Sequence, residues 1–144
     1  TAERKTISRK SNITNDVEKR NKPSESKIRN ATPNEYNGIR FKSKLETYTY
    51  KKLEESNIKA EYETQRYELL PAFTFGDKKY RAITYKPDFV GDKFIIECKG
   101  YPNDTWALRE KLFNYYLYTH EPNTAFYVVH TQKQVDELIS KLKT

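Results

Sequence analysis

The sequence predicts an α/β protein in which a mixed β-sheet is flanked by helices. Short apolar runs separated by turn residues fill the middle of the chain, from residue 62 to residue 98. Segments with helical start and stop signals lie on both sides of them, and one isolated apolar run follows at residues 124–130. The resulting order is helix, several strands, helix, strand, helix, which is typical of a mixed sheet with flanking helices.

Composition indicates one domain that meets a polyanion. A chain of 144 residues with 14% aromatics can bury one modest core, and 27 Lys+Arg against 20 Asp+Glu give a net charge of +7. The single cysteine excludes an intrachain disulfide and fits a reducing compartment, so we expect a cytoplasmic protein. We expect no membrane association, because no apolar run approaches the ~20 residues of a membrane span. There is no glycine-rich phosphate loop or zinc pattern, and we expect no small-molecule cofactor.

Residues 1–35 are predicted to form a basic, disordered N-terminal arm ahead of a folded domain at residues 36–144. This arm has no Phe, Trp or Tyr and carries nine Lys/Arg against five Asp/Glu. With so little to bury, it should not fold alone. It either lies along nucleic acid or serves as a solvated tail, and the sequence leaves both open.

Each element of the folded domain has a local signal. The capping-box pattern Ser43-x-x-Glu46 opens the first helix. Asn103 or Asp104 caps the second, with Leu108, Leu112, Tyr115 and Tyr116 near one face. In chain order we predict a helix to about residue 56, a strand over 62–70, a hairpin of 72–75 and 80–84 around Gly76-Asp77, a second hairpin, a helix to about 119, a strand over 124–130, and a helix over 132–142.

The second hairpin carries the candidate site. The runs Phe89-Val90 and Phe94-Ile95-Ile96 flank Gly91-Asp92, which predicts a two-residue loop. Asp88 would then face Ile95, and alternation would place Asp88, Ile95, Glu97 and Lys99 on one face, with Phe94, Ile96 and Cys98 on the other. Asp88 and Glu97 become diagonal neighbours, roughly 7–8 Å apart at the backbone.

Two such carboxylates beside a lysine suit a hard cation. Mg²⁺ prefers oxygen ligands, which Asp88, Glu97 and the backbone carbonyl of Cys98 can supply. Lys99 would orient or deprotonate the attacking water, or stabilise the developing negative charge. The alternative is a hairpin with a solvated polar face. The apolar Ile95-Ile96 pair directly before Glu97 favours a buried strand, where unpaired charges are costly.

Pro87-Asp88 followed by Glu97-Cys98-Lys99 resembles the signature of the PD-(D/E)xK nuclease superfamily. From about residue 37 to residue 118 the chain resembles a phage-encoded family related to the endonuclease I type of Holliday-junction resolvase. The segments that carry this resemblance are GIRFKSKLE (38–46), IKAEYE (58–63), KYRAITYKPDF (79–89) and ECKG (97–100). The resemblance implies a restriction-endonuclease-like core, Mg²⁺ with Mn²⁺ as a substitute, and hydrolysis of branched or distorted DNA in recombination by a homodimer.

The resemblance also implies a fourth catalytic residue. In the endonuclease I type, a glutamate in a Ser-x-x-Glu setting on the first helix joins the site as a metal or water ligand, and Glu46 is the matching position. The alternative is that Glu46 only closes the capping box. The chain departs from that family in length around residues 75–82, and the bridge element of the junction resolvases has no clear counterpart.

Several further residues are candidate DNA contacts, and each has a plainer alternative. Trp106 would stack on a base, or pack in the core or a lid. The candidate phosphate contacts, which are otherwise solvated surface charges, are Lys42, Lys44, Lys86, Arg109 and Lys111. Two other functions stay open: a non-catalytic nucleic-acid-binding module on the same fold, and a nuclease in a toxin or transposition setting.

Overall fold

The structure, a computed structural model, describes residues 34–144. The predicted N-terminal arm lies outside these residues except for Asn34 and Glu35, which belong to the first strand. None of the helices in the described part combines the length and apolar character needed to cross a membrane. The elements are β1 (Asn34–Tyr36), β2 (Ile39–Phe41), α1 (Lys44–Glu55), β3 (Ala60–Tyr62), β4 (Tyr67–Leu70), β5 (Phe73–Phe75), β6 (Lys78–Tyr80), β7 (Ile83–Tyr85), β8 (Phe89–Gly91), β9 (Phe94–Cys98), α2 (Asp104–His120), β10 (Ala125–Val129) and α3 (Gln132–Lys143).

A four-stranded mixed sheet with the order β10-β9-β8-β3 forms the centre of the described domain. β3, β8 and β9 are antiparallel neighbours, whereas β10 runs parallel to β9. A parallel pair needs a crossover, and α2 lies in the connection between these two strands. The predicted mixed α/β class is confirmed.

Alternation along β9 divides the core between the two faces of the sheet. Phe94, Ile96 and Cys98 pack with buried residues of β2, α1 and α3, including Phe41, Leu53 and Val135. Ile95 faces the opposite side and packs with a cluster built on α2. The buried residues of that second cluster are Tyr67, Tyr85, Ile95, Trp106, Phe113 and Leu117. All five residues of β9 are buried, as expected of a central strand.

The predicted strand over residues 62–70 is wrong, because it forms two strands that belong to different ladders. β3 pairs with β8 in the central sheet, whereas β4 pairs with β7 in a separate two-stranded ladder. Between them, Glu63 adopts a left-handed backbone conformation with φ 49°. Its N–H donates a hydrogen bond to the carbonyl of Asp88 at 2.9 Å, which holds this break against the start of β8.

The predicted hairpin over residues 72–84 is correct in its turn and wrong in its second strand. β5 pairs with β6, which begins directly after the Gly76-Asp77 turn (Gly76 φ +61°), rather than with residues 80–84. Ile83–Tyr85 form β7, which pairs with β4 instead. The segment from residue 67 to residue 85 is therefore a pair of antiparallel ladders, β4–β7 and β5–β6.

The predicted apolar face of α2 is only partly the buried one, since Tyr116 is half-buried against the core. Trp106, Phe113 and Leu117 are its buried residues, whereas Leu108 and Tyr115 are exposed. Apolar residues occur all round this helix, so periodicity alone cannot select a face. The buried face is set by Phe113, whose ring packs edge-on against Tyr85 with the ring centroids 4.7 Å apart.

The predicted bounds of the helices agree closely with the structure. Ser43, Asn103 and Thr131 are the N-caps of the three helices, and each side chain accepts a hydrogen bond from the backbone N–H three residues on. Such caps satisfy N–H groups that lack a partner in the first turn. The strand predicted at residues 124–130 is β10. It pairs in parallel with β9, which no local sequence pattern predicted.

Candidate metal centre

The β8–β9 register places Asp88 directly opposite Glu97 rather than diagonal to it. Phe89 pairs with Ile96 and Val90 with Ile95, and two residues, Asp92 and Lys93, lie between the strands. The predicted loop is correct in length, but it lies at Asp92-Lys93, one residue later than the predicted Gly91-Asp92. The ring of Phe94 folds over Gly91, where an added Cβ would lie 2.1 Å from the nearest ring atom. Because the register differs by two residues, every side chain keeps its predicted face.

Backbone hydrogen bonds hold the two carboxylates in place. The N–H of Cys98 donates to Asp88 Oδ2 at 2.8 Å, and the N–H of Asp88 donates to Glu97 Oε2 at 3.3 Å. Both side chains are buried, with 7% and 8% of their surface exposed. The amide and carbonyl of one strand residue point to the same neighbour, so the Cys98 carbonyl faces the side on which Asp88 lies.

The first turn of α1 supplies a third buried carboxylate, that of Glu46. The hydroxyl of Ser43 donates to Glu46 Oε1 at 3.2 Å, and the N–H of Glu46 donates back to that hydroxyl oxygen at 3.1 Å. The hydroxyl of Tyr62 donates to Glu46 Oε2. The capping contact and a place in the acidic site therefore coexist in this residue.

Glu63 completes the group and was missed from the sequence. Glu46, Glu63 and Asp88, called the acidic cluster below, each have a carboxylate oxygen within 4.8 Å of the others. The pairing of Tyr62 with Phe89 brings Glu63 beside Asp88. This pairing joins segments distant in the chain, and no local pattern indicated it. Glu97 adjoins the cluster through its bond to the Asp88 amide rather than belonging to its closest group.

Electrostatics in the cluster favour a bound cation. Burial, followed by the charges of Glu97 and Glu46, raises the pKa of Asp88 to about 9. Burial also raises the pKa of Glu97. One ammonium reaches the cluster, since Lys42 Nζ lies 2.6 Å from Glu63 Oε1, and that hydrogen bond raises the pKa of Lys42. Buried carboxylates that repel one another are stabilised by a cation between them.

The donor chemistry fits a hard divalent ion. The cluster offers carboxylate oxygens, and the one neighbouring thiol points away from it. Cys98 Sγ lies 3.3 Å from Thr49 Oγ1 in the core, and burial raises the pKa of that thiol well above its usual value. Oxygen ligands without thiolate or imidazole suit Mg²⁺ or Mn²⁺ rather than zinc.

A cavity of about 500 Å³ opens onto these carboxylates and has a basic wall. The predicted contacts Lys42, Lys86, Trp106 and Arg109 line it, as do Lys99 and the unpredicted Arg66; Lys44 and Lys111 do not. Acidic groups at the centre with cations around them match a phosphodiester, whose phosphate needs both a bound cation and positive contacts.

Lys99 and Trp106 form one unit in the wall. Lys99 Nζ lies 5.1 Å from the centroid of the Trp106 ring, which suits a cation–π contact. Trp106 is only 4% exposed and packs against Tyr85, so it offers no open ring face to a base. Its position agrees with the core role that the sequence left as the alternative to stacking. His130, which had no predicted role, contacts the carbonyl of Lys99 through Nδ1.

Comparison with known proteins identifies a family without an assigned activity. The sequence profile of the family described as "Protein of unknown function (DUF1064)" matches residues 10–135. No curated protein and no solved structure was found to match the chain.

Proposed function

Because the chain belongs to the DUF1064 family, whose description assigns no activity, we propose a function from the site itself: a divalent-metal-dependent DNA endonuclease that hydrolyses phosphodiester bonds. One observation carries the proposal. The β8–β9 pairing sets Asp88 opposite Glu97 at a cavity whose wall includes Lys99. A structural hairpin would gain nothing from burying two carboxylates against each other.

The fold is consistent with a PD-(D/E)xK nuclease, with a restriction-endonuclease-like core. Its central sheet has antiparallel strands β3, β8 and β9 with a parallel β10 beyond them. α1 packs on one face and α2 on the other. The acidic residues come from strand ends and from the first turn of α1, which are rigid elements well suited to hold ligands.

Each carboxylate has a role in the proposed site. Asp88, Glu46 and Glu63 would hold Mg²⁺, or Mn²⁺ in its place, with Glu97 and the Cys98 carbonyl adjoining them. A bound divalent ion supplies charge neutralisation at the phosphate and lowers the pKa of water. The Ser43 hydroxyl and the Tyr62 hydroxyl orient Glu46, and the Cys98 amide orients Asp88.

Lys99 is the proposed catalytic cation. The aromatic face of Trp106 holds its ammonium group at the cavity wall. From there it can donate hydrogen bonds to a phosphate oxygen and stabilise the charge that develops during hydrolysis. The remaining cations of the wall, Lys42, Arg66, Lys86 and Arg109, would bind neighbouring phosphates and set the position of the DNA.

The finer parts of the proposal come from the family resemblance. Branched or distorted DNA is the proposed substrate and a homodimer the proposed assembly. The open, basic cavity is compatible with a bent or branched backbone, since its lysines and arginines would contact phosphates rather than base edges.

The test is cleavage of a supercoiled plasmid and of a synthetic four-way junction in Mg²⁺, Mn²⁺ or EDTA. Lys99→Ala should lose roughly 10²–10³-fold in rate, as on loss of a charge-stabilising donor. Lys93→Ala is the matched control, because Lys93 is exposed in the turn of the same hairpin. Tight DNA binding without cutting by the wild type would instead support the non-catalytic binding module.

A further inference from the structure

Strands β5 and β6 form a hairpin, called the aromatic hairpin below, that displays large aromatic side chains to solvent. Every residue from 70 to 81 is exposed. Phe75, next to the turn, is 79% exposed, and Phe73 and Tyr80 also present much of their surface. Exposed aromatic surface costs free energy relative to burial, so a cluster of this kind marks a binding surface.

The aromatic groups lie on one face and are already arranged. The register pairs Phe73 with Tyr80 and Phe75 with Lys78, which places these four side chains on the same side. The rings of Phe73 and Tyr80 are stacked, with centroids 4.7 Å apart and planes at 10°. Lys78 Nζ lies 5.1 Å from the Tyr80 ring. The Phe73 and Phe75 rings keep much of their surface open to solvent, and a cation lies over the neighbouring Tyr80 ring, which together suit stacking on a planar base.

Charge indicates a polyanionic partner. Residues 70–81 contain one acidic residue, Asp77, and three basic residues, Lys78, Lys79 and Arg81. None of these cations forms an ion pair among the residues that the structure describes. Contact between two copies of this face would bring like charges together, which disfavours self-association. Phosphates beside unpaired bases satisfy the cations and the rings at once.

The hairpin is continuous with the proposed nuclease site. The β4–β7 ladder joins it to the cavity, where Arg66, Thr84 and Lys86 form part of the lining. Arg66 donates to the hydroxyl of Thr84 at 3.3 Å, which ties the two sides of this ladder together. At a rise of about 3.3 Å per residue, residues 78–85 span at most roughly 23 Å, or about seven base steps of DNA.

We propose that the aromatic hairpin is a DNA-contacting element whose rings stack on bases that are not paired in a duplex, while Lys78 on the same face binds an adjoining phosphate. This inference rests on the proposed nuclease function and extends it. It makes unpaired bases within roughly seven nucleotides of the cleaved bond a determinant of substrate choice. Fully paired duplex offers the hairpin phosphates only.

The direct test uses tryptophan fluorescence. The chain has one tryptophan, Trp106, and it is buried. Phe75→Trp adds an exposed reporter, and Tyr118→Trp places the matched control on α2, where Tyr118 is 75% exposed. Addition of a forked DNA with single-stranded arms should quench the emission of the first variant and leave the second unchanged. Equal emission changes in both variants would overturn the inference.

Affinity gives the second measurement. Phe75→Ala should weaken binding of forked DNA roughly tenfold and of paired duplex less than threefold, with Tyr118→Ala without effect, since stacking is lost only where bases are free. Lys78→Ala should reduce the salt slope by about 0.7, because Lys78 lies on the aromatic face, and Lys79→Ala, on the opposite face, is its control. If the wild type cleaves DNA in a metal-dependent way, but Phe75→Ala and Tyr118→Ala bind forked DNA with equal affinity, the hairpin proposal is overturned and the nuclease proposal is not. Loss of a wild-type dimer in Phe75→Ala, at unchanged DNA affinity, would assign the face to self-association instead. No binding and no cutting by the wild type would overturn the nuclease proposal and this inference with it.

Discussion

Asp88 is placed where its negative charge is costly, and that cost has consequences for stability. Its pKa of about 9, raised by burial and then by the charges of Glu97 and Glu46, lies far above the value of about 3.9 for an exposed aspartate. Between these values the folded chain holds a proton that the unfolded chain has released. The free energy of unfolding contributed by this group is therefore highest below about pH 4 and falls as the pH rises to about 9.

We expect the metal-free protein to lose thermal stability from pH 5 to pH 9, and Asp88→Asn to remove much of that loss. Asparagine keeps an oxygen to accept from the Cys98 amide and carries no charge. Its melting temperature in EDTA at pH 9 should therefore exceed that of the wild type by several degrees. Differential scanning fluorimetry across pH measures this.

Addition of a divalent metal ion should have different consequences for the melting temperatures of the two proteins. Mg²⁺ should raise the melting temperature of the wild type at pH 9 and leave Asp88→Asn unchanged, since only a bound ligand stabilises. Asp92→Asn, in the exposed turn of the same hairpin, controls for charge alone. A melting temperature of Asp88→Asn below the wild type in EDTA at pH 9 would contradict this account of the carboxylate.

Glu63 should matter to metal binding although no motif includes it. Glu63→Gln removes one of the three carboxylates of the acidic cluster, and we expect Mn²⁺ affinity to fall by roughly tenfold or more. Glu68→Gln is the control, because Glu68 is exposed on the neighbouring strand β4. Titration followed by electron paramagnetic resonance gives both affinities. Equal affinities in the two variants would remove Glu63 from the site.

At the scale of elements, the start of α1 does two tasks through one hydroxyl. Ser43 caps the helix and also donates to the carboxylate of Glu46. Thr131 caps α3 in the same way, accepting from Gln134 at 3.2 Å, with no contact to the acidic cluster. Comparison of the two caps therefore distinguishes an effect on helix stability from an effect on the orientation of Glu46, a proposed metal ligand.

Ser43→Ala and Thr131→Ala should each cost about 1 kcal/mol of unfolding free energy in urea, as expected on loss of an N-cap. Only Ser43→Ala should also weaken Mn²⁺ binding, because only there does a carboxylate lose its hydrogen bond. Parallel urea unfolding and metal titration of both variants check this. If both variants bind Mn²⁺ as the wild type does, Ser43 has no part in the site.

The β8–β9 turn depends on a bare backbone position at Gly91. A Cβ there would meet the ring of Phe94, a core residue, whereas Gly100 has nothing within 4 Å of an added Cβ. Gly91→Ala should therefore cost about 1–3 kcal/mol through overpacking, and Gly100→Ala should be close to neutral. Urea unfolding compares them, and equal stability would mean that the turn adapts without cost.

Local patterns predicted what lies close in sequence. Asp88, Glu97 and Lys99 share a hairpin, so alternation placed them on one face even though the turn lies one residue later than predicted. Glu63 needed the long-range pairing of β3 with β8, and its left-handed backbone is not encoded by a turn residue such as glycine. The buried face of α2 likewise depended on Phe113 meeting Tyr85 across the molecule.

At the scale of the whole molecule, the acidic cluster lies where rigid parts of the described domain meet. The sheet is packed on both faces, by α1 and α3 on one and α2 on the other. The proposed ligands come from α1, from the residue after β3 and from the residue before β8. The cavity has an acidic centre and a basic wall, which is the arrangement expected for metal-assisted attack on a polyanion.

The most direct measurement of the central claim is conversion of supercoiled plasmid to nicked and linear forms by the wild type and by Asp88→Asn, in EDTA and after addition of excess Mg²⁺. We expect the wild type to leave the plasmid uncut in EDTA and to cut it once Mg²⁺ is added. The folded Asp88→Asn protein should cut in neither condition. Equal Mg²⁺-dependent cutting by both proteins, or cutting by the wild type in EDTA, would contradict the assignment of the acidic cluster as a metal-dependent nuclease site.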